Sequence, residues 1–201
     1  LVNEVAVHSK ALGIDIWEVV GAAATKPFGF TPFWPGPGVG GHCLPIDPSY
    51  LSWKVEQTLG STSRFVEIAN DINNEMPKYV VNRLQASLNR RKKAVNGSRV
   101  LVVGLSYKPN SNDARETPST SVITGLVELG AEVVVHDEWT GPHPIDGLAP
   151  RVSLDDADLA RVDAVVIVTH HSDADYDRIV AECDFIFDTR NCVSGDNVEL
   201  L

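Results

Sequence analysis

Cysteine is scarce in this chain: Cys43, Cys183 and Cys192 are the three among 201 residues. They are too few and too scattered for a disulfide framework. Each reads as an apolar filler or as a nucleophile in a reducing compartment, and the chain is expected in the cytoplasm. Long apolar runs are missing too. None approaches the roughly 18 residues of a membrane helix, so no membrane partner is expected. Positive charge is in deficit, with 17 Lys and Arg against 27 Asp and Glu and a net charge of -10. That balance opposes broad contact with nucleic acid or anionic lipid, yet leaves room for a local cationic pocket that takes a phosphorylated ligand. No strand signal is followed by GxGxxG, so the fingerprint of a dinucleotide-binding turn is missing. No metal site is expected. Leu1 stands inside a helical pattern where an initiator methionine would be, so a further segment is expected upstream. No leader peptide is visible.

What is there divides into two blocks. Val2, Val5, Ala6, Ser9 and Leu12 recur at helical spacing, Gly13 offers a stop, and Ile16–Ala24 continues as a second helix. A loop rich in proline, glycine and aromatics runs from Lys26 to Pro48, and a helix is expected at Pro48–Leu59. A longer one at Arg64–Ala94 ends in Arg90, Arg91, Lys92 and Lys93, cations that complement the negative end of a helix dipole. Asn96-Gly97 signals a turn, and the pattern then changes. Short apolar runs at Val100–Leu105, Glu132–His136, Asp163–Thr169 and Asp184–Asp188 alternate with helical patterns at Thr117–Leu129 and Ala174–Cys183. The fold class predicted is α/β: a helical region over residues 1–96, then a Rossmann-like, doubly wound parallel sheet over residues 97–201.

The least ordinary stretch is Pro35–Pro48, PGPGVGGHCLPIDP. Four glycines and two prolines within Pro35–Gly41 specify a fixed backbone path, because glycine admits positive φ and close approach while proline pins φ. Gly40 and Gly41 beside a thiol leave amides free to face a bound oxyanion. Asp47 suits a helix N-cap with Pro48 at the first helical position, and a helix N-terminus close to Cys43 favours a thiolate. Taken alone, the loop fits a structural cysteine with a capping aspartate better than a nucleophile.

The stretch Asp15–Lys54, DIWEVVGAAATKPFGFTPFWPGPGVGGHCLPIDPSYLSWK, resembles the central region of the UDP-glucose/GDP-mannose dehydrogenase family, in particular its bacterial UDP-N-acetylglucosamine 6-dehydrogenases. The resemblance extends over essentially the whole chain. It implies an NAD-dependent enzyme of polysaccharide biosynthesis that oxidises the C6 alcohol of a UDP-sugar to the uronic acid in two hydride transfers. The family's GGxCxxxD element places its catalytic cysteine at Cys43 and its aspartate at Asp47. Cys43 would then carry the thiohemiacetal and the thioester, with Asp47 managing water and protons. His42 stands where family branches differ and is not expected to act. Several UDP-glucose dehydrogenases have a lysine where this chain has Ile46, which counts against plain UDP-glucose. The family's catalytic lysine and asparagine lie upstream of the LVNE with which the chain begins, as does its NAD domain. These residues alone are therefore expected to be inactive. Asn3 and Glu4 close that helix motif and rank as supporting residues.

GLSYKPNSNDARETPS, from Gly104 to Ser119, follows a strand without the dinucleotide glycines. Lys108 and Arg115 flank a helix start, which suits a pyrophosphate or ordinary solvated surface equally well. The stretch is similar to the family's UDP-binding domain motif, which implies a substrate contact for Lys108 and a cofactor-side position for Arg115. DTRN, Asp188–Asn191, resembles a second family element and makes Arg190 a phosphate or substrate candidate. Gly40, Gly41 and Phe33 complete the substrate-binding expectation. Phe28, Phe30, Phe33 and Trp34 suit either stacking on a base or core packing, and Cys183 and Cys192 read as filler. The partners implied are a UDP-sugar and a second copy of the chain, joined through the central helices. A non-catalytic UDP-sugar-binding or dimerisation module is the alternative, as is the same chemistry on UDP-N-acetylmannosamine or UDP-glucose. A cysteine hydrolase built on His42 and Cys43 is disfavoured, because adjacent residues rarely set an imidazole against its thiol.

Overall fold

The computed structural model describes all 201 residues. Four helices come first: α1 (Val2–Ala11), α2 (Ile16–Ala24), α3 (Cys43–Leu59) and α4 (Arg64–Arg90). Then follow β1 (Arg99–Val103), α5 (Pro118–Glu128), β2 (Glu132–His136), β3 (Ala164–Ile167), α6 (Tyr176–Glu182), β4 (Ile186–Asp188) and β5 (Val198–Leu200). The strands form one sheet in the order β2-β1-β3-β4-β5, every pairing parallel. The α/β class expected from the alternating runs is borne out.

The apolar strands are buried on both faces. Along β1, Val100 and Val102 join one core cluster while Leu101 and Val103 join the other, as the two-residue period of a strand requires. The larger cluster lies under α5 and also takes Met76, Val80, Val81, Leu84 and Leu88 of α4. The second half of α4 therefore covers the sheet, although it belongs to the helical block in sequence. Leu84 is fully buried, a position contributing about 1.5–3 kcal/mol. The smaller cluster is closed by Ile179 and Cys183 on the α6 side, and Cys183 is thus the apolar filler expected of it.

Helix ends follow local chemistry. Asp15 caps α2 by accepting from the Trp17 amide at 2.8 Å, and Thr117 caps α5 with Pro118 in its first turn. The start of α3 differs from expectation. The helix begins at Cys43, with His42 as its flanking residue, so Asp47 is not the cap and Pro48 sits inside. Pro45 falls within the first turn, where amides have no helical acceptor, and Pro48 leaves only the Leu44 carbonyl without its donor. Ser49 Oγ donates to the Pro45 carbonyl at 3.1 Å in the same turn.

The basic cluster does more than offset a dipole. Arg83, Arg90 and Arg91 converge on Glu199 of β5, with Ser87 Oγ donating to it at 2.8 Å. Arg91 also lies 3.7 Å from the centroid of the Phe185 ring, and Lys93 pairs with Asp163. This clasp fixes α4 against the edge of the sheet. Burial opposes ionisation of Glu199, but hydrogen bonds from Arg83 and Ser87 and the nearby guanidinium charges outweigh it and hold the carboxyl below its ordinary range.

Candidate active site

In a parallel sheet of this order the chain reverses direction across the sheet between β1 and β3, and a crevice opens at their carboxyl ends. Three turns border it: Gly104–Lys108 after β1, Val168–His171 after β3, and Thr189–Arg190 after β4. Gly104 is at φ +90, and a Cβ there would run into the Thr169 carbonyl, so only glycine lets the first two turns meet. Leu105 and Ser106 direct their amides at the Asp137 carboxylate, the first at 2.5 Å and the second at 3.1 Å. The amides that would cradle a pyrophosphate in a dinucleotide turn are thereby occupied. This turn does not fit NAD.

The glycine loop is pressed onto the same end of the sheet. Gly41 donates its amide to the Arg115 carbonyl at 3.1 Å. A Cβ on Gly40 would stand 2.7 Å from both the Glu116 carbonyl and Tyr107 Cβ, and one on Gly41, at φ +86, would stand 2.8 Å from the Tyr107 ring. Both glycines are thus demanded by close approach to the sheet domain. At the other end of the loop, Asn3 Oδ1 accepts the Gly36 amide at 3.0 Å, and its Nδ2 donates to Asn73 Oδ1 at 2.9 Å. Asn3 is 4% exposed, so this supporting residue of α1 tethers the loop from beneath.

The Cys43 thiol therefore lies just past two glycines packed against the turn after β1. Cys43 is exposed at the first position of α3. Asp47 follows four residues later, one turn on and on the same side of the helix. Arg115 is the residue whose carbonyl holds the Gly41 amide. Its Nε and Nη2 grip Asp113 at 2.9 and 2.6 Å, a fork that holds the Asp113 carboxyl down at about 2. Those hydrogen bonds raise Arg115 above its ordinary value, and Tyr107 and Cys43 add to the effect from nearby. Its guanidinium is thus largely committed to its own turn.

Lys108 is exposed, its Nζ 5.4 Å from the centroid of the Tyr107 ring whose edge meets Gly41. Arg190 is more enclosed. Its Nε donates to the Val168 carbonyl at 2.6 Å, its Nη1 packs against Gly36, and burial lowers its pKa to about 10 against the pull of Asp188. Asp188 accepts the amides of Arg190, Cys192 and Val193 and so shapes the turn that carries the guanidinium. The neighbouring His170 has a buried Nδ1 with no partner. Phe33, 69% exposed, stands away from any core, as do Phe28 and Phe30, so the core-packing option fails for them. Trp34 stacks on Trp17 with ring centroids 5.7 Å apart.

Two features escaped the sequence reading. Tyr107 is the wall against which Gly40 and Gly41 pack, and His171 joins the turns after β1 and β3. Position signalled both, since each follows the carboxyl end of a strand, where doubly wound sheets place their ligand contacts.

Solved structures of nucleotide-sugar dehydrogenases share this arrangement of helices and parallel sheet. The central-domain profile of the UDP-glucose/GDP-mannose dehydrogenase family matches residues 1–75, and its UDP binding domain profile matches residues 101–195. The chain belongs to that family. Among its relatives, the UDP-N-acetyl-D-glucosamine 6-dehydrogenase of Pseudomonas aeruginosa is 39% identical over 139 residues, 69% of this chain and 32% of that protein. The UDP-N-acetyl-D-mannosamine dehydrogenase of Methanococcus maripaludis is 33% identical over 199 residues, 95% of this chain and 44% of that protein. The crystal structure of NDP-N-acetyl-D-galactosaminuronic acid dehydrogenase from Methanosarcina mazei superposes with a TM-score of 0.86 at 28% identity, covering 100% of this chain and 46% of that one. The chain thus spans at most about half the length of these relatives. No helix is long and apolar enough to cross a membrane.

Proposed function

We propose that these residues form the thiol-bearing and UDP-binding part of an NAD-dependent UDP-sugar 6-dehydrogenase working in the cytoplasm. The observation that carries the reading is Cys43, exposed at the start of α3 and bedded by Gly40 and Gly41 against the turn that leads into Lys108. Oxidising a C6 alcohol to a carboxylate gives up two hydrides and takes in one water. NAD, when bound, would supply the hydride acceptor; the β1 turn, whose amides are held by Asp137, does not fit it.

The residues of this chain act on the sugar. The Cys43 thiolate adds to the C6 aldehyde, forming a carbon–sulfur bond while the carbonyl oxygen takes a proton. After the second oxidation the same bond is a thioester, which water cleaves to give the acid and the free thiol. Asp47, one turn along α3, positions that water and accepts its proton. Lys108 and Arg190 bind the diphosphate-sugar as cations, Gly40 and Gly41 let it approach the main chain, and Phe33 offers a face for the base. Arg115 shapes the cofactor side of the cleft through its pairing with Asp113.

An N-acetylated UDP-sugar, UDP-N-acetylglucosamine first, is the substrate proposed, supported by the 39% relative and by Ile46 in place of a lysine. The whole protein works as a homodimer through its central helices. Leu51, Trp53, Leu59, Phe65 and Ile68 on α3 and α4 are all exposed and offer apolar surface for it. Sedimentation should give twice the monomer mass. The committed amides of Leu105 and Ser106 favour a second reading for the 201 residues by themselves, a UDP-sugar-binding module without turnover. The test presents UDP-N-acetylglucosamine, UDP-N-acetylmannosamine and UDP-glucose separately, with NAD, to the full-length protein and to the 201-residue chain. NADH formed only by the full-length protein, fastest with the first sugar, supports the proposal. No NADH with any of the three refutes it.

A further inference from the structure

We infer that His171 is a positioning residue that holds Lys108 in its substrate-facing place. The inference rests on the reading that Lys108 binds the UDP-sugar. His171 is 3% exposed and lies at the carboxyl end of β3, across the crevice from the turn after β1. The Asn110 amide approaches His171 Nδ1 at 3.0 Å. A backbone amide only donates, so Nδ1 must offer its lone pair and the ring proton must sit on Nε2. Nε2 in turn faces Asp137 Oδ2 at 3.2 Å and Ser106 Oγ at 3.3 Å.

Those bonds flank Lys108 on both sides. Ser106 Oγ donates to the Lys108 carbonyl at 2.8 Å, and His171 takes the amide two residues later. Asn110, at φ +54, closes the stitch by accepting the Ser172 amide at 2.9 Å. The anchor is rigid. Besides His171, the Asp137 carboxylate accepts the amides of Leu105, Ser106, Trp139 and Thr140, and the Trp139 ring stacks on the imidazole with centroids 5.7 Å apart. Without the stitch, an exposed lysine on a turn of Pro109 and Asn110 has many conformations, and ordering them on binding lowers affinity.

The Ser106, His171 and Asp137 set is not a nucleophilic triad. Serine and aspartate both address Nε2, and the other ring nitrogen is taken by a backbone amide, so no path carries a proton from the hydroxyl through the ring to the carboxylate. The group binds turns together rather than reacting.

The two ring nitrogens can be tested apart. In His171→Asn the carboxamide oxygen replaces Nδ1 as acceptor while the Nε2 donor is lost; His171→Gln reaches Asp137 but leaves the Asn110 amide without its acceptor. Calorimetric titration of the 201-residue chain with UDP-N-acetylglucosamine, and with UDP alone, would compare both variants with Lys108→Met. Thermal melts run alongside. Lys108→Met and His171→Gln should each weaken binding about tenfold, the scale of one hydrogen bond or charge contact, while His171→Asn stays within about threefold. The double variant Lys108→Met/His171→Gln should bind no worse than Lys108→Met alone, because the two act as a unit. Full affinity in His171→Gln beside a weakened Lys108→Met overturns the positioning role and leaves the substrate reading intact. Equal losses in both histidine variants that follow their melting temperatures overturn it as well. Unchanged binding by Lys108→Met overturns the substrate reading and this inference with it.

Discussion

Glu199→Gln isolates what the clasp between α4 and the sheet contributes. The glutamine keeps the shape of the side chain and can still accept from Ser87, but it removes the charge on which Arg83, Arg90 and Arg91 converge. Deleting one partner of a buried ion pair costs about 3–5 kcal/mol, because the other charge is left uncompensated. Here the side chains of Arg83 and Glu199 are 15% and 17% exposed, and Arg83 also rests near the rings of Tyr79 and Phe187. Partial solvation and the retained contacts reduce the loss to about 2 kcal/mol. For a chain of this size that is about 4–8 °C in melting temperature. The pH dependence has a definite sign. Glu199 has a depressed pKa in the folded state, so its stabilisation is complete above the unfolded value, about 4.3, and is lost as pH falls through the folded one. Melts of the parent and Glu199→Gln should therefore be well separated at pH 7 and converge in acid. A gap below about 1 °C at pH 7, or one that stays constant down to the lowest pH at which both melt cooperatively, refutes the reasoning.

Asn3→Ala strands the Gly36 amide, which should cost about 1–3 kcal/mol and speed hydrogen exchange through the glycine loop, read by mass spectrometry. In Gly104→Ala the new methyl meets the Thr169 carbonyl at positive φ, and a loss of more than about 3 kcal/mol is expected by chemical denaturation. Gly40→Ala pushes the loop away from Tyr107 and Glu116. Turnover by the full-length protein should fall on the order of a hundredfold, with only a modest change in melting temperature, because misplacing the thiol is more costly than moving a surface loop.

Much of this architecture was legible in the residues. The β-branched runs at Val100–Leu105 and Asp163–Thr169 bury both faces and have few other places to go, and Thr117-Pro118 marked its helix start plainly. Strand β5 was not legible: it is three residues long, half-buried and carries Glu199 at its centre, so neither length nor alternation marks it. The start of α3 misled because Asp47-Pro48 is a good start signal, yet the turn before it contains Pro45 and tolerates helix, so the helix extends back to Cys43. For the candidate site, Cys43, Lys108, Arg115 and Arg190 are candidates through the family resemblance of their motifs. What surrounds them could not be read that way. Gly36 beside Arg190, Tyr107 under Gly41 and Asn110 on His171 join residues far apart in sequence, and no local pattern encodes such meetings.

In the proposed reaction Cys43 carries the sugar through oxidation. The most direct test of this role measures NADH released per molecule of UDP-N-acetylglucosamine by the full-length protein and by its Cys43→Ala variant, the fold of the variant being checked by its melting temperature. Two NADH per sugar from the parent and no acid product from the variant are expected. Two NADH per sugar from Cys43→Ala would contradict that role.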